Sequence, residues 1–387
     1  MKLHKKRGPI AVTWIAAAFA LVLAVAGCSS SGAGADQGTG TTDQSTAGAS
    51  DSQDAPAAQT SSQGTSPADN GTGKTVDLTL VSQPNGAGLP FVIAQHEGYF
   101  KDVGLNVTIK YYASGPAALA AGAAGEWQAG WMGAPPALTG MNSFGLIPVG
   151  LMIQEDANHI MFMTKKVLEN STPAEVLKTH PVATSQNSLA EQVMRACAQH
   201  FGVDPSSVQI VPLDGGQVVQ ALKSGQVDVI DSWASPDFSL LDDDNYVQVC
   251  NGEMAGVKVV DPYVVTPKFA EENPEAAAAF VSAVYRANDF INKNHDKAVS
   301  YMMQLYKDNG IDGSEKMADY EITIRHWKTM DQATKEVEDG STADALTASA
   351  SFFVKNGVYP KAPPIEDLLA KGLPILKSAA SIKPSGS

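Results

Sequence analysis

Two segments about one hundred residues apart place tryptophans among small side chains and end at proline. The first is GEWQAGWMGAPP, residues 125–136, and the second is GQVDVIDSWASP, residues 225–236. An aromatic ring can stack on a ligand or hold a cation, so Trp131 and Trp233 are predicted to face a ligand. Trp127 aligns with the inside of the second segment's strand and is predicted to be core.

Acidic residues near these segments extend the possible chemistry. Asp231 ends a predicted strand just before the Trp233 loop, where a carboxylate would suit an ammonium or an N–H donor. Glu155 and Asp156 precede a predicted change of direction in the chain. For each of the three acids, a solvated or hinge role remains the alternative to ligand contact.

Both tryptophan segments close a unit with the pattern strand, helix, strand, helix, strand. The predicted elements of the first unit are 77–83, 90–96, 107–112, 114–125 and the 125–136 segment, and those of the second are 181–186, 188–202, 208–213, 214–225 and 227–236. This alternation predicts parallel sheets with helices on both faces. In open sheets of this kind, ligands bind at the carboxyl ends of the strands.

Several helix starts lie at these predicted strand ends. Ser188 and Glu191 have the spacing of a capping box. Asp214 could be the first residue of a similar box on another helix, and Ser114 can cap a helix that has Pro116 in its first turn. Free N–H groups and the helix dipole favour an anion at such a start. A purely structural role remains open, because every helix has a start.

The N-terminal residues predict export. Four positive charges precede an apolar run at 10–26, and VAGC at 25–28 resembles the lipobox of bacterial lipoproteins. That resemblance implies cleavage before Cys28, acylation of its sulfur and a lipid anchor on the outer face of the cell membrane. Residues 29–73 are rich in Ser, Gly, Ala and Thr and contain no aromatic residue, so they are predicted to be a disordered tether.

Charge and cysteine content exclude some functions and leave others open. The net charge is −14; without the four cations of residues 1–28 and the five acids of residues 29–73, the remaining chain carries −13. No basic patch for nucleic acid is predicted. Cys197 and Cys250 could form a disulfide or remain two buried thiols. The scattered histidines predict no metal site, and no cofactor is expected.

The sequence from about 77 to 293 resembles the extracytoplasmic substrate-binding proteins of ABC importers for nitrate, taurine, alkanesulfonates and thiamine precursors. The resemblance rests on LPFVIAQHEGYFKDVGLNV (89–107), GEWQAGWMGAPPAL (125–138), LKSGQVDVIDSWASP (222–236) and VVTPKFAEENPEAAAAFVSAVYRAND (264–289). It implies an α/β, two-lobed type II periplasmic-binding-protein fold, each lobe having a mostly parallel sheet. Lobe 1 would comprise 74–160 and 265–387, with C-terminal helices, and lobe 2 would comprise 161–264.

The same resemblance implies a monomer that captures a small anionic, zwitterionic or heterocyclic solute and delivers it to an ABC permease and ATPase. The predicted ligand-binding residues are Gln83, Asn85, Ser114, Gly115, Trp131, Met132, Gly133, Ala134, Asn187, Ser188, Asp214, Asp231 and Trp233. The chain has Gln128 where the family often has Asp, and Gln186-Asn187-Ser188 where it often has Gly-Ser. The second departure weakens the case for an anion there, although Asn187 and Ser188 could still hydrogen-bond a carboxylate, a sulfonate or a ring heteroatom.

Three other classes of function are alternatives to solute binding. A secreted hydrolase would need a nucleophile with a base, paired carboxylates or a metal, and the sequence has no recognisable motif of these kinds. A thiamine-pyrimidine synthase of related fold would need a Cys-rich segment, which is missing. A sensor or adhesion lipoprotein that reuses the fold remains open. The sequence therefore predicts a binding protein rather than an enzyme.

Overall fold

The computed structural model describes residues 75–112, 115–213, 215–233 and 237–383, and its strands form two sheets. The strands of the first sheet are β1 (Val76–Ser82), β2 (Leu105–Tyr111), β3 (Ala129–Trp131), β4 (Ile147–Gln154), β10 (Val260–Val265) and β11 (His326–Trp327). Their spatial order is β11-β4-β10-β3-β1-β2.

The second sheet is formed by the intervening part of the chain. Its strands are β5 (His159–Thr164), β6 (Val182–Thr184), β7 (Ile210–Pro212), β8 (Val229–Trp233) and β9 (Tyr246–Asn251). Their spatial order is β7-β6-β8-β5-β9. The chain leaves the first sheet through residues 155–158 and returns to it through residues 252–259.

Both sheets are mixed, whereas the sequence predicted mostly parallel ones. The parallel part of the first sheet is β2-β1-β3, and that of the second sheet is β7-β6-β8. β10 is antiparallel to β3 and β4, and β5 is antiparallel to β8 and β9. Four of these antiparallel pairs involve β5 and β10, the strands through which the chain enters the second sheet and re-enters the first, and a fifth joins β11 to β4.

Helices connect and cover the strands. They are α1 (Leu89–His96), α2 (Tyr99–Asp102), α3 (Gly115–Ala123), α4 (Ala134–Phe144), α5 (Lys165–Leu168), α6 (Pro173–Thr179), α7 (Leu189–His200), α8 (Gly216–Lys223), α9 (Phe238–Leu241), α10 (Pro267–Glu272), α11 (Pro274–Lys293), α12 (His295–Asp308), α13 (Glu315–Thr323), α14 (Met330–Glu338), α15 (Ser341–Lys355) and α16 (Ile365–Ala380).

Strand β5 shows how the second sheet is covered on both faces. Successive side chains of a strand point to opposite faces. Met161 and Met163 pack in one apolar cluster with residues of α7, whereas Ile160 and Phe162 pack in another with residues of α8. The apolar residues 160–163 of β5 are therefore buried on both sides of the sheet, as the predicted α/β fold requires.

A disulfide joins Cys197 on α7 to Cys250 on β9, so that α7 is covalently attached to the second sheet. Both residues are buried in the apolar cluster on the α7 face. Among the described residues, no helix combines the length and the apolar character needed to cross a membrane.

Candidate functional site

Asp231 is the middle residue of β8, which continues to Trp233 instead of ending at Asp231 as the sequence predicted, and its side chain is fully buried. Neither of its carboxyl oxygens has a hydrogen-bond partner among the described residues. The parallel register with β6 runs from Val182 beside Val229 to Ala183 beside Ile230, which brings Thr184 beside Asp231. The Thr184 hydroxyl is also buried without a partner. The neighbouring parallel strands β6 and β8 thus carry unpartnered polar groups at the same end of the second sheet, the end at which the carboxyl ends of both strands lie.

Asp237, just before α9, adds a second carboxyl of the same kind. It is buried, and neither oxygen has a partner among the described residues. Burial and the charge of Glu321 raise the pKa of Asp237 to about 8, against an opposing effect of Arg325. Burial and the Asp237 carboxylate raise the pKa of Asp231 well above its usual range. The two aspartates therefore interact unfavourably when both are ionised.

His159 and Trp233 form the adjoining aromatic part of this edge. They are paired across β5 and β8, and their ring centroids are 6.2 Å apart. His159 Nδ1 is buried without a partner among the described residues. Burial and the positive charge of Arg325 lower the pKa of His159 to about 3. The imidazole is therefore neutral at ordinary pH and adds no positive charge.

Helix α13 and the residues after it bring a buried charge network to the same region. Glu321 accepts hydrogen bonds from the Gly86 N–H (3.0 Å), the Tyr306 hydroxyl (2.8 Å) and Arg325 Nη1 (3.2 Å). Arg325 Nε donates to Glu155 Oε2 at 2.8 Å. The network links the loop after β1, the connection between the sheets and α13.

Further contacts hold α13 against the second sheet's helix α9. The rings of Phe238 and Tyr320 have centroids 6.0 Å apart. Lys316 forms an ion pair with Asp242. Helix α13 therefore contacts both α12 and the segment around α9, which directly follows Asp237.

Asp261 on β10 is a further buried acid of this region. Its carboxylate interacts with the Ala134 N–H at the start of α4, whereas Oδ1 has no hydrogen-bond partner among the described residues. Burial and the charge of Glu155 raise its pKa well above the usual range, and Arg325 opposes them. A Cβ at Gly133 would lie 3.6 Å from Asp261 Oδ1. The predicted segment Gly133–Ala134 thus adjoins a carboxyl group that the sequence did not indicate.

The predicted residues of the first sheet cluster at the carboxyl end of β1. Trp131 is buried, and its Nε1–H donates to Ser82 Oγ at 3.0 Å. Asn85 Oδ1 accepts from the Ala87 N–H at 3.0 Å, and Asn85 Nδ2 donates to Gln83 Oε1 at 3.4 Å. Gln83, Asn85 and Trp131 therefore belong to one edge, with the indole N–H of Trp131 already hydrogen-bonded.

The start of α7 is occupied by the protein's own groups. Ser188 Oγ accepts from the Ala190 N–H at 3.1 Å and donates to the Ser185 carbonyl at 2.6 Å. The Asn187 N–H, in a left-handed conformation at φ 58°, donates to Glu191 Oε2 at 2.6 Å. The predicted capping box is thus shifted by one residue, because Glu191 reaches Asn187 instead of Ser188. An external anion would meet the Glu191 carboxylate here.

The remaining predicted residues have different positions. Met132 is buried in the core of the first sheet. Gly115, at the start of α3, allows close packing, because a Cβ there would lie 2.8 Å from the Pro136 ring. Ser114, Asp214 and Cys28 lie outside the described residues.

Trp127 is part of the core, as its position in the repeat predicted. It is almost fully buried just before β3, and its Nε1–H donates to the Ala118 carbonyl at 2.8 Å. A Cβ at Gly122 would lie 2.3 Å from the indole ring, so the absence of a side chain there makes room for it. Trp233, by contrast, is only partly buried.

Sequence analysis missed His159, Asp237, Asp261, Glu321 and Arg325. The four-residue spacing of Glu321 and Arg325 is compatible with a pair on one helical face, but it is equally typical of solvated pairs. Asp237 directly follows the second tryptophan segment, which was its one local signal. Among the described residues, no cluster of metal-ligating side chains is present. The candidate site is therefore a buried, acid-rich region that includes one buried arginine.

Comparisons with known proteins agree with this architecture. The chain is 25% identical over 291 residues to the taurine-binding periplasmic protein of Escherichia coli, a match covering 74% of this chain and 88% of the relative. It is 21% identical over 235 residues to the formylaminopyrimidine-binding protein of Halalkalibacterium halodurans, which covers 59% of this chain and 70% of the relative.

Solved structures show the same fold. The aliphatic sulphonate binding protein of Escherichia coli superposes with a TM-score of 0.62 at 17% identity, covering 75% of this chain and 90% of the other. The nitrate-binding protein of Synechocystis PCC 6803 superposes with a TM-score of 0.63 at 13% identity, covering 79% and 88%. These similarities establish the type II periplasmic-binding-protein fold. Because residues 85–298 also match the family described as NMT1/THI5 like, the chain belongs to that family.

Proposed function

We propose that the protein is the substrate-binding component of an ABC importer and that it captures a small solute between two lobes. The lobes would be residues 74–160 with 265–387 and residues 161–264. The carboxyl ends of β1 and β3 belong to the first sheet and those of β6 and β8 to the second, and Arg325 interacts with groups from both regions.

The observation that carries this proposal is the set of buried polar groups without partners at the edge of the second sheet. In folded proteins such groups are nearly always hydrogen-bonded, and leaving one unpaired costs about 1–3 kcal/mol. Asp231, Thr184 and Asp237 all lack a partner among the described residues. A bound solute would supply the missing hydrogen bonds.

The names of the relatives support both the chemical class of the solute and its delivery to an ABC importer. Their names include taurine, aliphatic sulphonate, nitrate and formylaminopyrimidine binding. We propose a small zwitterionic or heterocyclic molecule as the solute. Sulfonates and nitrate are the other candidate solutes. Delivery would be to a permease and an ATPase, and the binding protein would act as a monomer without enzymatic activity.

Cys28 is proposed as the site of lipid attachment, with residues 29–73 as the tether to the outer face of the cell membrane. This rests on the VAGC segment and the composition that follows it. Labelling cells with a radioactive fatty acid should mark the protein, and Cys28→Ser should abolish the label and release the protein from membranes. Equal labelling of both forms would contradict the anchor.

The binding function is tested by native mass spectrometry of protein purified without denaturation, followed by isothermal titration with the identified small molecule. The proposal predicts one bound small molecule per chain and reversible binding without turnover. Conversion of that molecule into a product would instead indicate an enzyme.

A further inference from the structure

The buried charges of the described residues are strongly unbalanced. The acidic cluster, defined as Glu155, Asp231, Asp237, Asp261 and Glu321, is buried together with a single buried cation, Arg325. His159, the other basic group in this region, is held neutral by burial and by Arg325. Burying unpaired charge is costly. The protein therefore carries more buried carboxyl groups here than its own cations can neutralise.

Arg325 is already committed to part of the cluster. Its Nε donates to Glu155, and its Nη1 donates to both the carbonyl and the carboxylate of Glu321. Asp231 and Asp237 receive no hydrogen bond from it. The two aspartates are thus the part of the cluster without a cationic partner among the described residues.

Uncharged groups without partners indicate a ligand independently of the acids. Thr184 Oγ1 and His159 Nδ1 are buried and unpartnered among the described residues. Thr184 adjoins Asp231 by register, and His159 lies beside Trp233. Hydroxyl and imidazole groups can donate as well as accept. This edge is therefore equipped to bind a polar molecule.

A bare anion does not fit these surroundings. The start of α7, the element that could attract one, is filled by the carboxylate of Glu191, which accepts from the Asn187 N–H and pairs with Arg195 at 2.7 Å. An anion near Asp231 would also find no free cation among the described residues, because Arg325 is engaged with Glu155 and Glu321.

We infer that the solute carries a cationic or N–H-rich nitrogen group, such as a protonated amine, an amidinium or an aminated heterocycle, that is bound by Asp231 and Asp237. Trp233 and His159 flank that group, and the Trp233 ring is suited to cation–π contact. The inference rests on the proposed binding function and specifies its solute. Helix α13 lies close to this region, because its Tyr320 ring contacts Phe238, the residue directly after Asp237.

The test is a thermal-shift titration of the mature chain with two sets of probes. Taurine, agmatine, arginine and 4-aminopyridine carry the required nitrogen, whereas isethionate, ethanesulfonate and nitrate lack an N–H donor. We expect stabilisation only within the first set. Asp237→Asn and Asp231→Asn should each weaken binding of an active probe at least about tenfold. Asp244→Asn, which changes an exposed acid of the same lobe, should leave binding unchanged.

Native mass spectrometry of the same preparation identifies any solute that co-purifies. A co-purified molecule with a basic or N–H-rich nitrogen supports the inference. Stabilisation by isethionate or nitrate that persists in Asp237→Asn, or a co-purified anion without an N–H donor, overturns it while leaving the binding function intact. No stabilisation by any probe together with no co-purified molecule overturns both the inference and the binding function.

Discussion

Trp131 and Asp231 occupy equivalent positions in the two sheets. Trp131 ends β3 beside Ser82 of β1, and Asp231 lies on β8 beside Thr184 of β6, with the same parallel register in both sheets. In the first sheet the position is satisfied internally, because the indole donates to Ser82. In the second sheet the equivalent carboxyl has no partner among the described residues. The equivalent position is thus hydrogen-bonded in the first sheet and unpartnered among the described residues in the second.

Replacing Trp233 by Ala should weaken solute binding by about 1–3 kcal/mol, the scale of a lost large apolar contact or cation–π pair. Trp127 is the matched control, because it is a core tryptophan with its N–H bonded to Ala118. Trp127→Ala should lower the free energy of unfolding by about 3–5 kcal/mol. Calorimetric titration and thermal melting separate the two effects. Reversed behaviour of the pair would mean that Trp233 is scaffold and Trp127 is site.

Replacing Asp237 by Asn should stabilise the ligand-free protein, because an unpartnered buried carboxyl is removed. Its pKa is raised from 3.8 to about 8 in the folded state. The folded state thus binds more protons than the unfolded state between these values, and the contribution of Asp237 to stability falls as pH rises from about 4 to 8. The stability advantage of Asp237→Asn should therefore grow over that range.

Chemical denaturation of the wild type and Asp237→Asn at several pH values measures this difference. His159, with its pKa lowered to about 3, acts in the opposite direction, since its contribution to stability falls as pH decreases from about 6.5. Comparing the two proteins at each pH cancels that effect as long as His159 is unchanged. A constant difference in stability from pH 4 to 8 would show that Asp237 is not a buried, destabilising carboxyl.

Replacing Arg325 by Ala should destabilise the protein by about 3–5 kcal/mol, since it leaves Glu155 and Glu321 buried without their cation. Lys110, whose ion pair with Glu126 is largely exposed, is the control, and Lys110→Ala should cost at most about 1 kcal/mol. Urea denaturation at pH 7 gives both values. Equal, small effects would argue that the Arg325 network does not stabilise the fold.

Removing the disulfide should cost about 2–4 kcal/mol, because it closes a loop between positions 53 residues apart in the sequence. The double variant Cys197→Ala and Cys250→Ala is compared with the oxidised wild type by thermal melting. Solute binding should persist at temperatures where the variant is folded, since neither cysteine is among the proposed contacts. Two free thiols in the unfolded, unreduced wild type would contradict the bond.

The sequence predicted most of the α/β framework, because its evidence is local. Alternating apolar residues, helix caps and the repeated tryptophan segments are sufficient to place β1, β3, β6 and β8, together with α7 and α8. The antiparallel position of β10 was not foreseen, since it depends on where the chain returns to the first sheet. Trp127 was assigned correctly to the core from its place in the repeat.

The candidate site was predicted only in part, for the same physical reason. Asp231 and Trp233 belong to a strand that can be recognised locally, but Glu321 and Arg325 reach this region through the packing of α13, far along the chain. No local pattern distinguishes a buried ion pair on a helix from a solvated one. Asn187 and Ser188 stay predicted ligand contacts; in the structure the Asn187 backbone N–H and the Ser188 hydroxyl donate to neighbouring protein groups.

The most direct test of the account is a crystal structure of the protein with its co-purified or titrated solute. The account predicts one solute between the two sheets, with a nitrogen within hydrogen-bond distance of Asp231 or Asp237 and an apolar part against Trp233. A solute bound elsewhere, or one whose anionic group alone lies at the start of α7 while both aspartates stay unpartnered, would contradict it.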